Sequence, residues 1–81
     1  MKAFWAFDKA AVADGAIPVK YKELIAVAVA LTMQYGHCVD VHSANARRVG
    51  ASDAELTEAA MVAASVRAGG AVTHATHALS S

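Results

Sequence analysis

The sequence predicts an all-α fold, and three observations support this prediction. Alanine, which has the highest helix propensity of all residues, fills 21 of the 81 positions. The candidate helices are separated by the glycines and by the single proline. The most strand-like stretch, Val27–Ala30, is apolar throughout and therefore lacks the alternation of a half-buried strand. We expect residues 1–81 to form one compact domain of about five helices.

The helix boundaries follow from local signals. Pro18 suits the first position of a helix because its missing N–H would have no partner there. Ser52 followed by Glu55 is a capping box, which predicts a helix start at this point. Glycines mark the remaining breaks, at Gly15, Gly36, Gly50, Gly69 and Gly70. The predicted helices span Lys2 to Ala13, Pro18 to Gln34, His37 to Val49, Asp53 to Ala68, and Ala71 to Leu79.

Charge and composition exclude several classes of protein. Seven basic and seven acidic residues cancel, so the chain lacks the positive surface of a nucleic-acid or anionic-membrane binder. The longest strongly apolar run, Leu24–Met33, is too short to span a membrane. One cysteine excludes an internal disulfide framework and fits a reducing compartment, so we expect a cytoplasmic protein.

The apolar content also predicts self-association. Apolar residues make up 57% of a chain too short to bury them all in its own core. We therefore expect a homo-oligomer. Phe4, Trp5 and Phe7 on the first helix are candidates for contacts between subunits, with a role inside the subunit's own core as the alternative.

The most informative chemistry lies near the start of the third helix. A thiol at Cys38 would sit at the positive end of the helix dipole, which favours the thiolate. His42 follows four residues later, one turn along the same face. A thiol at a helix start with a histidine at this spacing is the arrangement of an activated nucleophile. The alternative is a buried, inert cysteine beside a structural histidine.

Glu23 is the third candidate because it shares a mostly apolar helix face with Val27 and Ala30. A carboxylate in such surroundings suits proton transfer; the alternative is a solvated glutamate paired with a nearby lysine. Along straight helices Glu23 lies about 18 Å from Tyr35, and His42 lies about 10 Å beyond Tyr35. We therefore expect no direct contact between Glu23 and His42, and a bridging water or a crossing of the helices would be needed to link them.

No metal or cofactor site is predicted. His74 and His77 stand three residues apart on the last predicted helix, but the chain has no Cys-x-x-Cys or His-x-x-x-His pair. A Gly-rich phosphate loop and a serine nucleophile elbow are absent as well. The expected partners are therefore a small-molecule substrate and other copies of the chain.

The spacing Glu23-x11-Tyr35-x2-Cys38-x3-His42 resembles the Glu-x11-Cys-x2-Cys-x3-His motif of the AhpD-like alkylhydroperoxidase and carboxymuconolactone decarboxylase superfamily. The resemblance covers nearly the whole chain. It implies an all-α fold that assembles as trimers or hexamers. By position, Cys38 corresponds to the second cysteine, His42 to the histidine that activates it and Glu23 to the proton-relay carboxylate. His37 corresponds to a histidine sometimes found between the two cysteines.

The departure from this motif is Tyr35, which replaces the first cysteine, so the redox disulfide of the family cannot form. The resemblance then leaves three hypotheses. The first is a one-cysteine thiol peroxidase whose sulfenic acid is reduced by an external thiol. The second is a cofactor-independent lyase in which His42, His37 and Glu23 carry out acid–base chemistry on a small carboxylated substrate. The third is a non-catalytic oligomeric member of the superfamily.

Overall fold

The computed structural model describes residues 1–80, which form four α-helices and no strand. Helix α1 spans Lys2–Val12, α2 Val19–Met33, α3 Gly36–Arg48 and α4 Asp53–Leu79. The all-α fold predicted from the sequence is confirmed. Within residues 1–80, no helix combines the length and the apolar character needed to cross a membrane.

The turn before α2 is held by side chains that reach the backbone. The Asp14 carboxylate accepts a hydrogen bond of 2.6 Å from the Val19 N–H, one of the unpaired donors at the start of α2. Lys22 donates to the Ala13 carbonyl at 2.7 Å. Pro18 is the N-terminal cap rather than the first residue of the helix. These bonds fix where α2 begins and thereby where Glu23 lies.

The turn between α2 and α3 differs from the prediction in which residue reverses the chain. Gln34 adopts the left-handed conformation, with φ of 57°, and the Tyr35 N–H donates to the Ala30 carbonyl at 2.9 Å. Gly36, predicted to break the chain, is instead the first residue of α3. The left-handed conformation costs a non-glycine residue about 1 kcal/mol, which the surrounding contacts must offset. This turn makes Tyr35 the cap of α3 and places Cys38 in its first turn.

The turn between α3 and α4 agrees with its sequence signals. Gly50 has φ of 102°, a conformation that favours glycine, and the Ala51 N–H donates to the Ala46 carbonyl at 2.9 Å. The Ser52 hydroxyl accepts from the Glu55 N–H at 3.1 Å, and the Glu55 carboxylate accepts from the Ser52 N–H at 2.9 Å. The predicted capping box is confirmed.

The prediction of a fifth helix is wrong. Gly69 and Gly70 lie inside α4, which continues without interruption for 27 residues. Glycine lowers helix stability by about 1 kcal/mol relative to alanine, but it does not prevent the helical conformation. The two glycines lower the stability of the helix, and we interpreted this lower stability as the end of the helix.

Helix α2 lies at the centre of the fold and contacts α3 and α4 extensively, whereas α1 touches it at only a few points. The buried apolar core consists of Val27 and four alanines, at positions 30, 46, 51 and 63. Helix α1 contributes no buried residue, and its three aromatic side chains are about half exposed or more. The core is therefore small, and much apolar surface stays open.

Candidate active site

A buried hydrogen bond between α2 and α3 is the central feature of the site. The Nδ1–H of His42 donates to Oε1 of Glu23 at 2.6 Å. Glu23 is 4% exposed and His42 8% exposed. Such a short bond to a carboxylate, with little access to water, holds the imidazole ring in one orientation. It also leaves Nε2 as the ring nitrogen available to a reacting group.

This contact corrects two expectations from the sequence. Glu23 is not solvated, because it is 4% exposed. It is not paired with a lysine either: Lys20 pairs with Glu55 at 2.9 Å, and Lys22 donates to the Ala13 carbonyl. The residue count along straight helices also indicated that Glu23 and His42 do not touch. The count gave only positions along straight helices; the inclination of the two axes and the reach of both side chains bring the groups together.

Cys38 and His42 line one pocket, which lies between α2 and the start of α3. The pocket has a volume of about 260 Å3. Its other lining residues are Ala26, Val29, Ala30, Met33 and Tyr35. No hydrogen bond within residues 1–80 joins the Cys38 sulfur to His42, and Cys38 is only partly exposed. The thiol and the imidazole thus face a common space without a bond between them.

The wall of this pocket is apolar, and of its residues on α2 only Ala30 was named from the sequence, as part of the face that carries Glu23. Ala26, Val29, Ala30 and Met33 recur at the three- and four-residue spacing of one helix face. This spacing could have indicated the pocket wall from the sequence, but in an alanine-rich helix several faces have apolar residues at the same spacing. His42 is the only side chain of the lining that can carry a positive charge.

The remaining candidates divide between the pocket and the surface. Tyr35 lines the pocket and is 55% exposed, so its ring forms part of the open rim. His37 is exposed, does not line the pocket and has no side-chain hydrogen bond among the described residues. The structure therefore brings together Glu23, His42, Cys38 and Tyr35, and it leaves His37 outside the group.

A partly exposed ion pair between Lys20 and Glu55 joins α2 to the start of α4. The hydrogen bond from the Ser52 backbone and the ammonium of Lys20 hold the pKa of Glu55 below its ordinary value. The hydrogen bond to Glu55 in turn raises the pKa of Lys20. Lys20 lies three residues before Glu23, so the ion pair links the turn of α2 that carries Glu23 with the start of α4.

The two histidines of α4 lie apart from this site. The rings of His74 and His77 stack with their centroids 5.6 Å apart on the exposed half of the helix. Among residues 1–80, no three histidine, cysteine, aspartate or glutamate side chains converge as a metal site. A larger concavity of about 570 Å3 lies along the same half of α4. Of the candidate residues named above, only His74 lines it. The candidate residues that lie close to one another are therefore those at the pocket of Cys38.

Comparison with known proteins agrees with the resemblance seen in the motif. The chain is 48% identical over 77 residues to the uncharacterized protein 4 in the cox locus of Paracoccus denitrificans, covering 95% of this chain and 69% of the relative. It is 40% identical over 70 residues to an uncharacterized protein of Cupriavidus necator, covering 86% of this chain and 60% of that relative. The sequence model of the carboxymuconolactone decarboxylase family matches residues 1–81. The chain belongs to the carboxymuconolactone decarboxylase family, which is part of the AhpD-like superfamily.

Proposed function

We propose that this protein is a one-cysteine thiol peroxidase in which Cys38 is the nucleophile. The observation that carries the proposal is the buried Glu23–His42 hydrogen bond beside a pocket that also holds the Cys38 sulfur. A thiol, an imidazole and a carboxylate that orients the imidazole are the three parts of an activated nucleophile. The expected enzyme class is a peroxiredoxin-like oxidoreductase that acts as an antioxidant.

The chemical steps assign one role to each residue. His42 takes the thiol proton at Nε2, and Glu23 stabilises the imidazolium that results. The Cys38 thiolate attacks the distal peroxide oxygen, the O–O bond breaks, and the leaving alkoxide receives the proton from His42. The products are an alcohol and a Cys38 sulfenic acid. Sulfur and imidazole lie on one pocket without a mutual hydrogen bond, which is common before the substrate is bound.

The reductant must come from outside the chain, because Cys38 is the only cysteine. One external thiol condenses with the sulfenic acid, releases water and forms a mixed disulfide. A second thiol then releases the Cys38 thiol and leaves as the oxidised disulfide. Small thiols and thioredoxin-like dithiols both satisfy this balance. The first thiol would approach along the exposed rim of the pocket, to which Tyr35 belongs.

The lining of the pocket favours a small organic hydroperoxide over the carboxylated substrate of a lyase. Apolar side chains suit the alkyl part of a hydroperoxide. A substrate carboxylate would enter a pocket with no lysine or arginine among its lining residues. The lyase and the non-catalytic hypothesis are therefore alternatives that the experiment has to separate from the peroxidase.

The test is peroxide consumption with excess dithiothreitol, comparing the wild type with Cys38→Ser. We expect the wild type to consume a small alkyl hydroperoxide faster than hydrogen peroxide, and Cys38→Ser to fall to the background rate. Equal rates for the two proteins, or no consumption above background, would contradict the proposal. Conversion of a small carboxylated lactone by the wild type, lost in His42→Ala, would then identify the lyase. Inactivity in both assays would identify the non-catalytic alternative.

A further inference from the structure

Three side chains that line the pocket of Cys38 can form hydrogen bonds, and the mechanism proposed above uses two of them. The Cys38 thiol and the His42 imidazole supply the nucleophile and the base. The third is Tyr35, whose phenolic hydroxyl can donate one hydrogen bond. The other lining residues are two alanines, a valine and a methionine, which provide no donor. Tyr35 therefore carries the one polar side-chain group of this pocket that has no role so far.

The backbone of Tyr35 is held in place, whereas its hydroxyl is free. The Tyr35 N–H donates to the Ala30 carbonyl at 2.9 Å, and the Tyr35 carbonyl accepts from the Val39 N–H at 3.0 Å. These two bonds tie the residue to the end of α2 and to the first turn of α3. Within residues 1–80 the hydroxyl has no hydrogen-bond partner, and the side chain does not cap α3. The hydroxyl is thus available to a molecule that enters the pocket.

The reaction proposed for Cys38 calls for a second hydrogen-bond donor. The sulfur attacks the distal oxygen of a hydroperoxide, and negative charge develops on the proximal oxygen as the O–O bond breaks. Donors aimed at such a developing charge lower the barrier. Once His42 has taken the thiol proton, its imidazolium offers the pocket only the Nε2–H, because Glu23 holds the Nδ1–H. Among the lining side chains, the Tyr35 hydroxyl is the other donor that remains when the thiol is deprotonated.

We propose that the Tyr35 hydroxyl donates a hydrogen bond to the proximal oxygen of the hydroperoxide and stabilises that oxygen as it leaves. This inference rests on the peroxidase function proposed for Cys38. In this step the bond between Cys38 Sγ and the distal oxygen forms, the O–O bond breaks, and its electron pair stays on the proximal oxygen. His42 then gives the thiol proton to that oxygen, while Tyr35 keeps its own. The products are the alcohol and the Cys38 sulfenic acid.

This role has a consequence that a purely structural role of Tyr35 lacks, because it depends on the leaving group. An alkyl hydroperoxide releases an alkoxide, a strong base whose charge is concentrated on one oxygen. A peracid releases a carboxylate, which spreads its charge over two oxygens and depends less on a donor. Alkylation by iodoacetamide releases iodide, which needs no donor. The effect of removing the Tyr35 hydroxyl should therefore decrease in this order.

The test compares rate constants for the loss of the Cys38 thiol in the wild type, Tyr35→Phe and Tyr21→Phe. Tyr35→Phe removes only the hydroxyl and keeps the ring. Tyr21→Phe is the matched control, because Tyr21 carries the same group on α2, is 48% exposed and does not line the pocket.

We expect the largest effect with tert-butyl hydroperoxide. Loss of one such donor slows the reaction about 10²–10³-fold in sites closed to water. Because Tyr35 lies on an open rim, we expect Tyr35→Phe to react about 10-fold more slowly than the wild type with this reagent. With peracetic acid the loss should be smaller, and iodoacetamide should react at the wild-type rate. Tyr21→Phe should match the wild type with all three reagents.

The possible outcomes separate this inference from the proposed function. Wild-type Cys38 that reacts with tert-butyl hydroperoxide no faster than free cysteine would overturn both. Rapid oxidation of the wild type and of Tyr35→Phe at equal rates would overturn only the role of Tyr35. An equal loss of rate with all three reagents would show that Tyr35 acts on Cys38 and not on the leaving oxygen. A loss in Tyr21→Phe as large as that in Tyr35→Phe would also overturn the inference, because the effect would not be specific to the pocket.

Discussion

The Glu23 carboxylate and the His42 imidazole form a buried hydrogen bond of 2.6 Å that joins α2 to α3, although 19 residues separate them in the sequence. The bond has two effects. It satisfies two polar groups in the interior, where a lost partner is costly, and it fixes the imidazole beside the pocket of Cys38. The same contact thus contributes to stability and to the proposed chemistry.

Substitutions at Glu23 should separate these two effects. Glu23→Ala leaves the His42 Nδ1–H without a partner, so we expect a loss of about 1–3 kcal/mol in the free energy of unfolding. In a domain of this size each kcal/mol lowers the Tm by about 4–8 °C. Glu23→Gln keeps an oxygen acceptor but removes the charge that stabilises an imidazolium. It should retain most of the stability and lose peroxidase activity.

Thermal unfolding and kcat measured on both variants check this prediction. Glu58→Gln, on the exposed surface of α4, is the matched control for loss of a carboxylate charge. If Glu23→Gln kept full activity with dithiothreitol and an organic hydroperoxide, the charge of Glu23 would have no part in the reaction.

His42 should determine the reactivity of Cys38. We expect His42→Ala to lower kcat/KM for peroxide by about 10²-fold or more, in the range of a lost general base. It should also slow alkylation of Cys38 by iodoacetamide near neutral pH. The control is Asp40→Asn, because Asp40 is exposed on the same helix and does not line the pocket. Equal alkylation rates in His42→Ala and the wild type would remove His42 from the mechanism.

Tyr35 and Cys38 should be close enough to form a disulfide when Tyr35 is replaced by cysteine. Both residues line the pocket, and three positions at a helix start separate them, which brings their Cα atoms within the usual range for a disulfide. We expect Tyr35→Cys to lose both free thiols after one equivalent of peroxide, and to regain them with a dithiol. The wild type should instead be labelled at Cys38 by a sulfenic-acid probe.

Mass spectrometry distinguishes the two oxidised species. Tyr35→Ser is the matched control, since it removes the ring without adding a thiol. An oxidised Tyr35→Cys protein that retained a free thiol would show that the turn does not bring the two positions together.

The stability of the protein should depend on pH through Glu55. Its hydrogen bond from the Ser52 backbone and its pair with Lys20 lower the pKa of this carboxyl from the ordinary value of 4.5. A group whose pKa is lower in the folded state stabilises the fold above its unfolded value, and this contribution is lost as the pH falls through the folded value. Wild type should therefore exceed Glu55→Gln in stability near neutral pH, and the difference should vanish in acid.

Urea unfolding of the wild type and of Glu55→Gln, measured from neutral pH into acid, tests the sign of this pH dependence. Glu58→Gln serves again as the control, because Glu58 is exposed on the same helix and forms no ion pair with another described residue. A difference between wild type and Glu55→Gln that did not change with pH would assign the effect to packing rather than to the charge.

The sequence by itself determined the features that depend on neighbouring residues. The capping box of Ser52 and Glu55 and the reversal at Gly50 were correctly predicted, because each is formed by groups within a few positions of one another. The placement of Cys38 in the first turn of a helix, four residues before His42, also follows from local spacing.

Only the tertiary structure decided where α2 and α3 meet and where the last helix ends. The sequence could not show that Glu23 reaches His42, because residue spacing gives positions along each helix but not the angle between two helices. It also could not show that α4 continues through Gly69, because local propensity gives only the cost of a glycine in a helix. A cost of about 1 kcal/mol lowers the stability of a helix without setting its end, so the glycines alone could not decide where α4 stops.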